Sequence, residues 1–224
     1  MSRAAGGTPK AKGAGLLAFV VQKHKATSLH YDLRLEAGGV MPSWSVPKGP
    51  SLDSGVKRLA MPTSDHLMEY RRFEGVLGGG YGAGAVMIWD EGTYDPEDEV
   101  AGGERRQAAS REEAEGMAAK GLREGNLKFF LYGKKLRGSF ALVRTAGLGG
   151  SREAWLLIKH RDEYSQPGWD AKEHDLSAVS GRTLGQIAGQ AELGSLHDEA
   201  PPGRGKRPGD HGKRGSARGR ASRP

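Results

Sequence analysis

The 224-residue sequence has no cysteine, so it can form no disulfide and offers no thiolate as a nucleophile or metal ligand. Any bound metal must therefore be held by His, Asp or Glu. No apolar run approaches the roughly 18–20 residues that a membrane-spanning helix needs. Residues 1–15 are rich in Gly, Ala and Lys and lack the apolar core of a secretory signal. We therefore expect a cytoplasmic, nucleoid-associated protein that does not contact a membrane.

An excess of charge is also missing from most of the chain. The formal net charge is +7, yet residues 201–224 hold eight of the 34 Lys and Arg residues and only one of the 27 acids. The first 200 residues are therefore neutral as a whole. Because the end of the chain has almost no apolar side chains, residues 193–224 are predicted to be a disordered basic tail. Such a tail either strengthens sequence-independent binding to phosphates or serves only as a solubilising extension, and the composition leaves both open.

Short runs of alternating apolar and polar residues predict a mainly β protein, and the 36 glycines favour many turns between its strands. Strict period-two alternation over residues 29–36 is followed by a Gly-Gly turn and a returning strand at 40–46, which predicts a hairpin. Close spacing of many strands is typical of a barrel or sandwich. Further strands are predicted at residues 17–24, 57–61, 85–89, 127–132, 139–144 and 155–160. We expect a single-domain β-barrel over residues 16–192, preceded by a flexible leader at 1–15.

Two short helices are predicted within this β-rich pattern. Ser110 and Glu113 form a capping-box pattern before a helix-favouring run at residues 111–120. Gly121 follows this run, and glycine commonly ends helices, so the first helix is predicted to stop there. The second is a short helix at residues 183–188.

Polar residues collect on one face of the predicted hairpin. Residues two apart on a strand face the same side, so His30, Asp32 and Arg34 should project together. If the preceding strand pairs through a turn at residues 25–29, His24 approaches them. Two imidazoles and one carboxylate suit a divalent first-row metal such as Mn²⁺, and the planar Arg fork suits a phosphate. The alternative is an antiparallel sheet whose solvent face merely happens to be polar.

A series of short motifs extends this hairpin through most of the chain, at residues 19–24, 29–36, 43–50, 56–60, 65–66, 73–75, 81–84, 86–94, 138–144, 155–160 and 180–184. In this order they resemble the 3′-phosphoesterase domain of bacterial DNA ligase D and its stand-alone relatives. The resemblance covers roughly residues 17–188 and implies a β-barrel with a Mn²⁺-type ion in a polar cleft. It also implies stepwise removal of a 3′ ribonucleoside and then a 3′ phosphate from a primer-template end.

The resemblance assigns a role to particular residues. Three would be the metal ligands: His24, His30 and Asp32. Four would bind the scissile phosphate or neutralise it: Arg34, His66, Lys48 and Arg58. Two would complete the pocket: Gln22 and Tyr70. The expected partners are 3′ ends of DNA or of RNA-containing DNA, together with a DNA-repair polymerase or ligase, and the expected state is a monomer.

The sequence departs from the family at its beginning. Family members usually begin with an arm that carries an Arg-Asp pair and a downstream Glu, whereas residues 1–16 contain no acid. We therefore expect 3′-phosphate ends to be processed more readily than 3′-ribonucleotide ends. A rival function is a non-catalytic DNA-end-binding module that recruits repair factors through the basic tail. The sequence leaves open whether His66 donates a proton or holds a phosphate oxygen.

Overall fold

The computed structural model describes residues 16–79, 82–100, 104–145 and 153–193, so the predicted leader and nearly all of the predicted tail lie outside the described residues. Its strands are β1 (Leu17–Lys25), β2 (Leu29–Leu35), β3 (Ser43–Val46), β4 (Lys57–Pro62), β5 (Gly75–Leu77), β6 (Gly84–Glu99), β7 (Arg105–Gln107), β8 (Asn126–Gly133), β9 (Arg137–Thr145) and β10 (Ala154–Lys159). Two α-helices accompany them, α1 (Arg111–Glu124) and α2 (Leu184–Leu193). Neither helix has the length and apolar content needed to cross a bilayer.

Eight antiparallel strands close into a barrel, which confirms the predicted fold class. Neighbouring strands follow the order β1-β2-β3-β4-β10-β9-β8-β6, and β6 pairs back onto β1. The long β6 makes this closure possible, because its first half pairs with β1 and its second half with β8. Strands β5 and β7 add to the two ends of β6.

Alternation along each strand separates the barrel interior from its outer face. On β2 the side chains of Tyr31, Leu33 and Leu35 enter the core, where large side chains from the other strands meet them. Aromatic residues make up much of this core, in edge or stacked contacts: Tyr31 with Trp89, Trp44 with Trp155, Tyr94 with Phe129, and Phe129 with Phe140. A filled interior leaves the outer face of the barrel as the place for a functional site.

A short segment between β4 and β5 covers part of that outer face. It contains a 3₁₀ helix, Met68–Arg72. Met68 packs on a small apolar cluster formed by Val20 of β1, Met41 and Ile88 of β6. This second cluster fixes the 3₁₀ helix against the barrel beside the β1-β2 hairpin.

Two predicted strands differ markedly in their bounds from the strands of the structure. The strand predicted at 40–46 is shorter, since Val40 makes only an isolated bridge to Ala37. The strand predicted at 85–89 continues to Glu99, through Gly92 and Pro96. Those two residues have low strand propensity, but the partner strands on both sides of β6 outweigh that preference. The strands β5 and β7 were not predicted, because three residues are too few to show a period.

The predicted end of α1 at Gly121 is wrong. The helix continues to Glu124, and Gly125 ends it in the left-handed conformation with φ 77°, its amide donating to the carbonyls of Gly121 and Leu122. Gly121 is buried within the helix, where the first residues of β8 pass close to its backbone. At the other end, the Ser110 side chain accepts the hydrogen bond from the Glu113 amide, as the capping-box pattern predicts.

The two glycines inside α1 give a matched test of this packing. A Cβ at Gly121 would lie 2.9 Å from Leu127 Cδ1 and 3.0 Å from Leu127 Cα, whereas a Cβ at Gly116 would meet nothing within 4 Å. We expect Gly121→Ala to lower the free energy of unfolding by about 1–2 kcal/mol because the strand must shift. Gly116→Ala should raise it by about 1 kcal/mol through helix propensity. Chemical denaturation of both variants measures this, and equal effects would contradict the assigned contact.

Candidate metal centre

Three potential metal ligands converge near the turn that connects β1 and β2. His24 lies directly opposite His30 in the strand register, and Gln22 lies opposite Asp32. One ligand atom from each of His24, His30 and Asp32 lies within 4.8 Å of the others. The hairpin pattern predicted this meeting, because period-two alternation on paired strands places these side chains on one face.

The distances within this triad leave room between the donor atoms. Asp32 Oδ1 is 3.6 Å from His30 Nε2, and Asp32 Oδ2 is 3.8 Å from His24 Nδ1. Both separations are too long for a direct hydrogen bond. His30 Nδ1 lies 3.0 Å from the Ser28 carbonyl, which leaves Nε2 with its lone pair toward Asp32. His24 Nε2 is buried and has no hydrogen-bond partner. A mixed imidazole and carboxylate set with an unpartnered nitrogen fits a divalent first-row cation.

The face that carries the triad is not an exposed polar face of the sheet, which was the alternative that the sequence left open. The side chains of His24 and Asp32 are only 9% and 10% exposed, because the 3₁₀ segment lies over the hairpin. Burial alone would raise the pKa of Asp32, but the attraction of His24, Arg34 and His30 outweighs it and holds this pKa below its ordinary value. The carboxylate is therefore ionised at neutral pH, as a metal ligand must be.

Arg34 connects the triad to its surroundings. Its Nη2 donates to Asp32 Oδ2 at 3.0 Å, and its Nε donates to Gln22 Oε1 at 2.7 Å. Its Nη1 lies 2.9 Å from His66 Nδ1, and the guanidinium lies 4.9 Å from the centre of the Tyr70 ring. Burial lowers the pKa of Arg34. A guanidinium titrates so far above neutral pH that this side chain nonetheless stays charged. A guanidinium has five N–H donors, so these three contacts leave donors for an anion.

Gln22 fixes the position of the 3₁₀ helix relative to Arg34. Its side-chain amide donates to the carbonyls of Tyr70 and Phe73, at 3.1 and 2.9 Å, while its oxygen accepts from Arg34. The side chain is completely buried. One amide therefore satisfies two backbone carbonyls and orients the buried cation at the same time.

His66 is held at the site by backbone and side-chain contacts. Its backbone forms a two-way bridge with Met41, and its ring packs at 4.8 Å from that of Tyr70. Ser43 Oγ lies 3.3 Å from His66 Nδ1 and donates to the Met41 carbonyl. Ser43 was not among the site residues predicted from the sequence. It is the register partner of Arg34 on β3, and only that pairing could have identified it.

Glu74 anchors the end of the covering segment and was also missed. Its carboxylate accepts hydrogen bonds from the Ile88 amide and from the hydroxyls of Ser177 and Ser180, and it pairs with Arg182. Burial would raise the pKa of Glu74, but these hydrogen bonds lower it below its ordinary value. A lone Glu in a loop gives no sequence signal for this role, because its side-chain partners lie about a hundred residues away.

Two of the predicted phosphate-binding cations do not join the cluster. Lys48 is exposed in the turn after β3, and Arg58 lies on β4 beside Asp53. Asp32 pairs with Ser45, and Ser45 pairs with Met61, so these three side chains lie on the outer face of the barrel. Arg58 lies three residues before Met61 on β4, so its side chain belongs to the other face. Among the described residues, no hydrogen bond or ion pair joins Lys48 or Arg58 to the triad or to Arg34. Their roles remain predictions.

Residues 22–144 match the family described as "DNA Ligase D 3'-phosphoesterase domain". The chain belongs to this family. It is 42% identical over 190 residues to the "Multifunctional non-homologous end joining protein LigD" of Pseudomonas aeruginosa, covering 83% of this chain and 20% of that protein. It is 37% identical over 172 residues to the "Multifunctional non-homologous end joining DNA repair protein LigD" of Mycobacterium tuberculosis, covering 76% and 19%. The chain thus spans about a fifth of the length of these relatives.

Membership of the 3′-phosphoesterase family and the geometry of the site point to the same region. The match begins at Gln22 and includes the whole polar cluster. It ends within β9, so β10 and the serines that bind Glu74 lie outside it. The resemblance inferred from the motifs is therefore confirmed, and the matched residues include the candidate site.

Proposed function

We propose that this protein is a metal-dependent phosphoesterase that removes 3′ phosphates from DNA ends during repair, leaving a 3′-OH. The observation that carries the proposal is the position of Arg34 beside the His24, His30 and Asp32 triad. Its buried guanidinium keeps N–H donors that its protein contacts do not use. Family membership and the end-joining names of the relatives support the same function. The substrates would be 3′ ends of DNA or of RNA-containing DNA, which a repair polymerase or ligase would then use.

The proposed metal is Mn²⁺ or a similar first-row cation, held by His24, His30 and Asp32. When bound, such an ion lowers the pKa of water and neutralises charge on phosphate oxygens. The protein would contribute ligands that are already oriented: the Ser28 carbonyl positions the His30 ring, and Arg34 positions the Asp32 carboxylate.

Arg34 would bind two non-bridging oxygens of the terminal phosphate with its remaining donors. Its guanidinium is already fixed by Gln22 and Asp32, so little reorganisation accompanies the build-up of charge during phosphoryl transfer. His66, in contact with Arg34, would either hold a third oxygen or donate a proton to the leaving oxygen. Tyr70 would limit the pocket on the side of the 3₁₀ helix.

The proposal is tested by measuring inorganic phosphate released from a 3′-phosphorylated primer by the metal-stripped protein, with and without added Mn²⁺. We expect release only with the metal, and no release from the same primer phosphorylated at its 5′ end. A third primer, ending in a 3′ ribonucleotide, tests the expectation that the diester reaction is slower. DNA binding without any phosphate release under these conditions would instead support the rival function, a non-catalytic end-binding module.

A further inference from the structure

We propose that Arg71 and Arg72 contact the phosphodiester backbone next to the reacting 3′ end, which makes a polynucleotide the preferred substrate over a mononucleotide. This inference rests on the proposed function for the reacting group and adds the part of the site that holds the rest of the strand. Both arginines end the 3₁₀ helix that covers the hairpin.

The position of the two arginines follows from the contacts of the preceding residue. Tyr70 lies against the Arg34 guanidinium and against the His66 ring. A 3₁₀ helix rises about 2 Å per residue, so Arg71 and Arg72 lie about 2 and 4 Å further along its axis. We place the next phosphates of a strand whose last phosphate is held by Arg34 along this helix, where the two long arginine side chains begin.

The charges of Arg71 and Arg72 are available for binding. Arg72 is exposed and Arg71 is half-buried, and within the described residues neither has a hydrogen-bond, ion-pair or ring partner. Three other surface arginines each have a carboxylate partner: Arg106 with Glu113, Arg111 with Glu36, and Arg144 with Glu153. Glu69 lies one 3₁₀ turn before Arg72 but forms no ion pair with it. Two adjacent free guanidinium groups suit phosphate oxygens.

Aromatic rings flank the two arginines. Tyr70 and Phe73 stack on each other with their ring centres 5.6 Å apart and an angle of 19° between their planes. Their backbone carbonyls are both fixed by the buried Gln22 side chain, so the spacing of this Tyr-Arg-Arg-Phe segment is rigid. Basic groups interleaved with aromatic rings are typical of surfaces that bind single-stranded nucleic acid, where the rings stack on bases.

Equilibrium binding tests this inference independently of catalysis. The full-length protein is titrated with a 5′-labelled, 3′-phosphorylated single-stranded oligonucleotide, and the affinity is measured between about 50 and 200 mM NaCl. Each phosphate contact on a single strand contributes about 0.7 to the slope of log affinity against log salt. We expect Arg71→Gln/Arg72→Gln to reduce this slope by about 1.4. The basic tail contributes equally to the salt slopes of the wild-type protein and the double variant, so its contribution cancels when the two slopes are compared.

A matched control is Arg123→Gln, which removes an exposed arginine at the far end of α1. It should leave the slope unchanged. Phosphate release gives a second measurement: the double variant should lose about ten-fold in kcat/KM on the oligonucleotide and nothing on a nucleoside 3′-monophosphate, which has no neighbouring phosphate.

The outcomes separate this inference from the proposed function. An unchanged salt slope in the double variant, or an equal loss on both substrates, overturns the role of Arg71 and Arg72. Absence of phosphate release by the wild-type protein, together with the expected change in slope, overturns the proposed reaction and leaves the backbone contact standing.

Discussion

Replacing His30 with alanine is expected to lower phosphate release at least about a thousand-fold while the barrel stays folded, because a lost metal ligand removes several kcal/mol of charge stabilisation. The side chain of His30 is the most exposed of the three proposed ligands, at 19%, and its one hydrogen bond is to the Ser28 carbonyl in the turn. The free energy of unfolding should therefore change by less than about 1 kcal/mol. Steady-state phosphate release and chemical denaturation of the metal-free variant check the two statements.

Asp32→Ala should behave differently from His30→Ala. It removes a proposed metal ligand and also the carboxylate that pairs with the buried Arg34 guanidinium at 3.0 Å. Loss of one partner of a buried ion pair costs about 3–5 kcal/mol because the other charge stays buried. We therefore expect this variant to lose both activity and stability. Leu29→Ala, next to His30 and on the opposite side of the strand, is the matched control and should retain activity. If His30→Ala released phosphate as fast as Leu29→Ala, the metal assignment would be wrong.

The second large effect is expected from Arg34→Lys, a substitution that keeps the charge. A lysine ammonium cannot reproduce the planar fork that contacts Gln22, Asp32 and His66 together. We expect kcat to fall by about a hundred-fold or more, the loss typical of one oriented donor to a developing oxyanion. Phosphate release at saturating DNA and Mn²⁺ measures this loss.

The control for Arg34→Lys is Arg106→Lys, at an exposed arginine that pairs with Glu113. Its activity should match that of the wild-type protein, since exposed ion pairs contribute little. Metal affinity separates the role of Arg34 from an indirect effect through Asp32. A variant with unaltered Mn²⁺ affinity and reduced kcat supports phosphate binding, whereas unaltered kcat would remove Arg34 from the reaction.

The proximity of the three proposed metal ligands could be predicted from the sequence because all the information for it is local. His24, His30 and Asp32 lie within nine residues, and period-two alternation on a hairpin with a short turn places them together whatever the rest of the chain does. The barrel class followed from the same period in other segments. Short-range patterns of this kind are determined by backbone geometry alone.

The environment of the triad could not be predicted in the same way. The 3₁₀ helix that buries the triad comes from a segment more than thirty residues away. Its packing on Val20, Met41 and Ile88 depends on the tertiary structure. The register shift between β1 and β6 at Val21 and Gln22 is a bulge next to the site that no residue pattern marks. The shielding of the triad from solvent could therefore not be predicted from the sequence.

The roles of Gly121 and of the predicted phosphate-binding cations illustrate a second limit. A glycine after a helical run is equally consistent with a helix end and with close packing, and only the position of Leu127 distinguishes them. For Lys48 and Arg58 the motif resemblance suggested a role, but Lys48 lies in an exposed turn, and the placement of the Arg58 side chain depends on which face of β4 joins the core. Residue type alone carries no information about that choice.

The most direct test of the metal centre is a titration of the metal-stripped protein with Mn²⁺, followed by electron paramagnetic resonance of the free ion. We expect one bound ion per chain, no such site in His30→Ala, and half-saturation at the Mn²⁺ concentration that gives half-maximal phosphate release. Tight binding that survives in His30→Ala, or phosphate release at full rate without bound metal, would contradict the proposed metal centre.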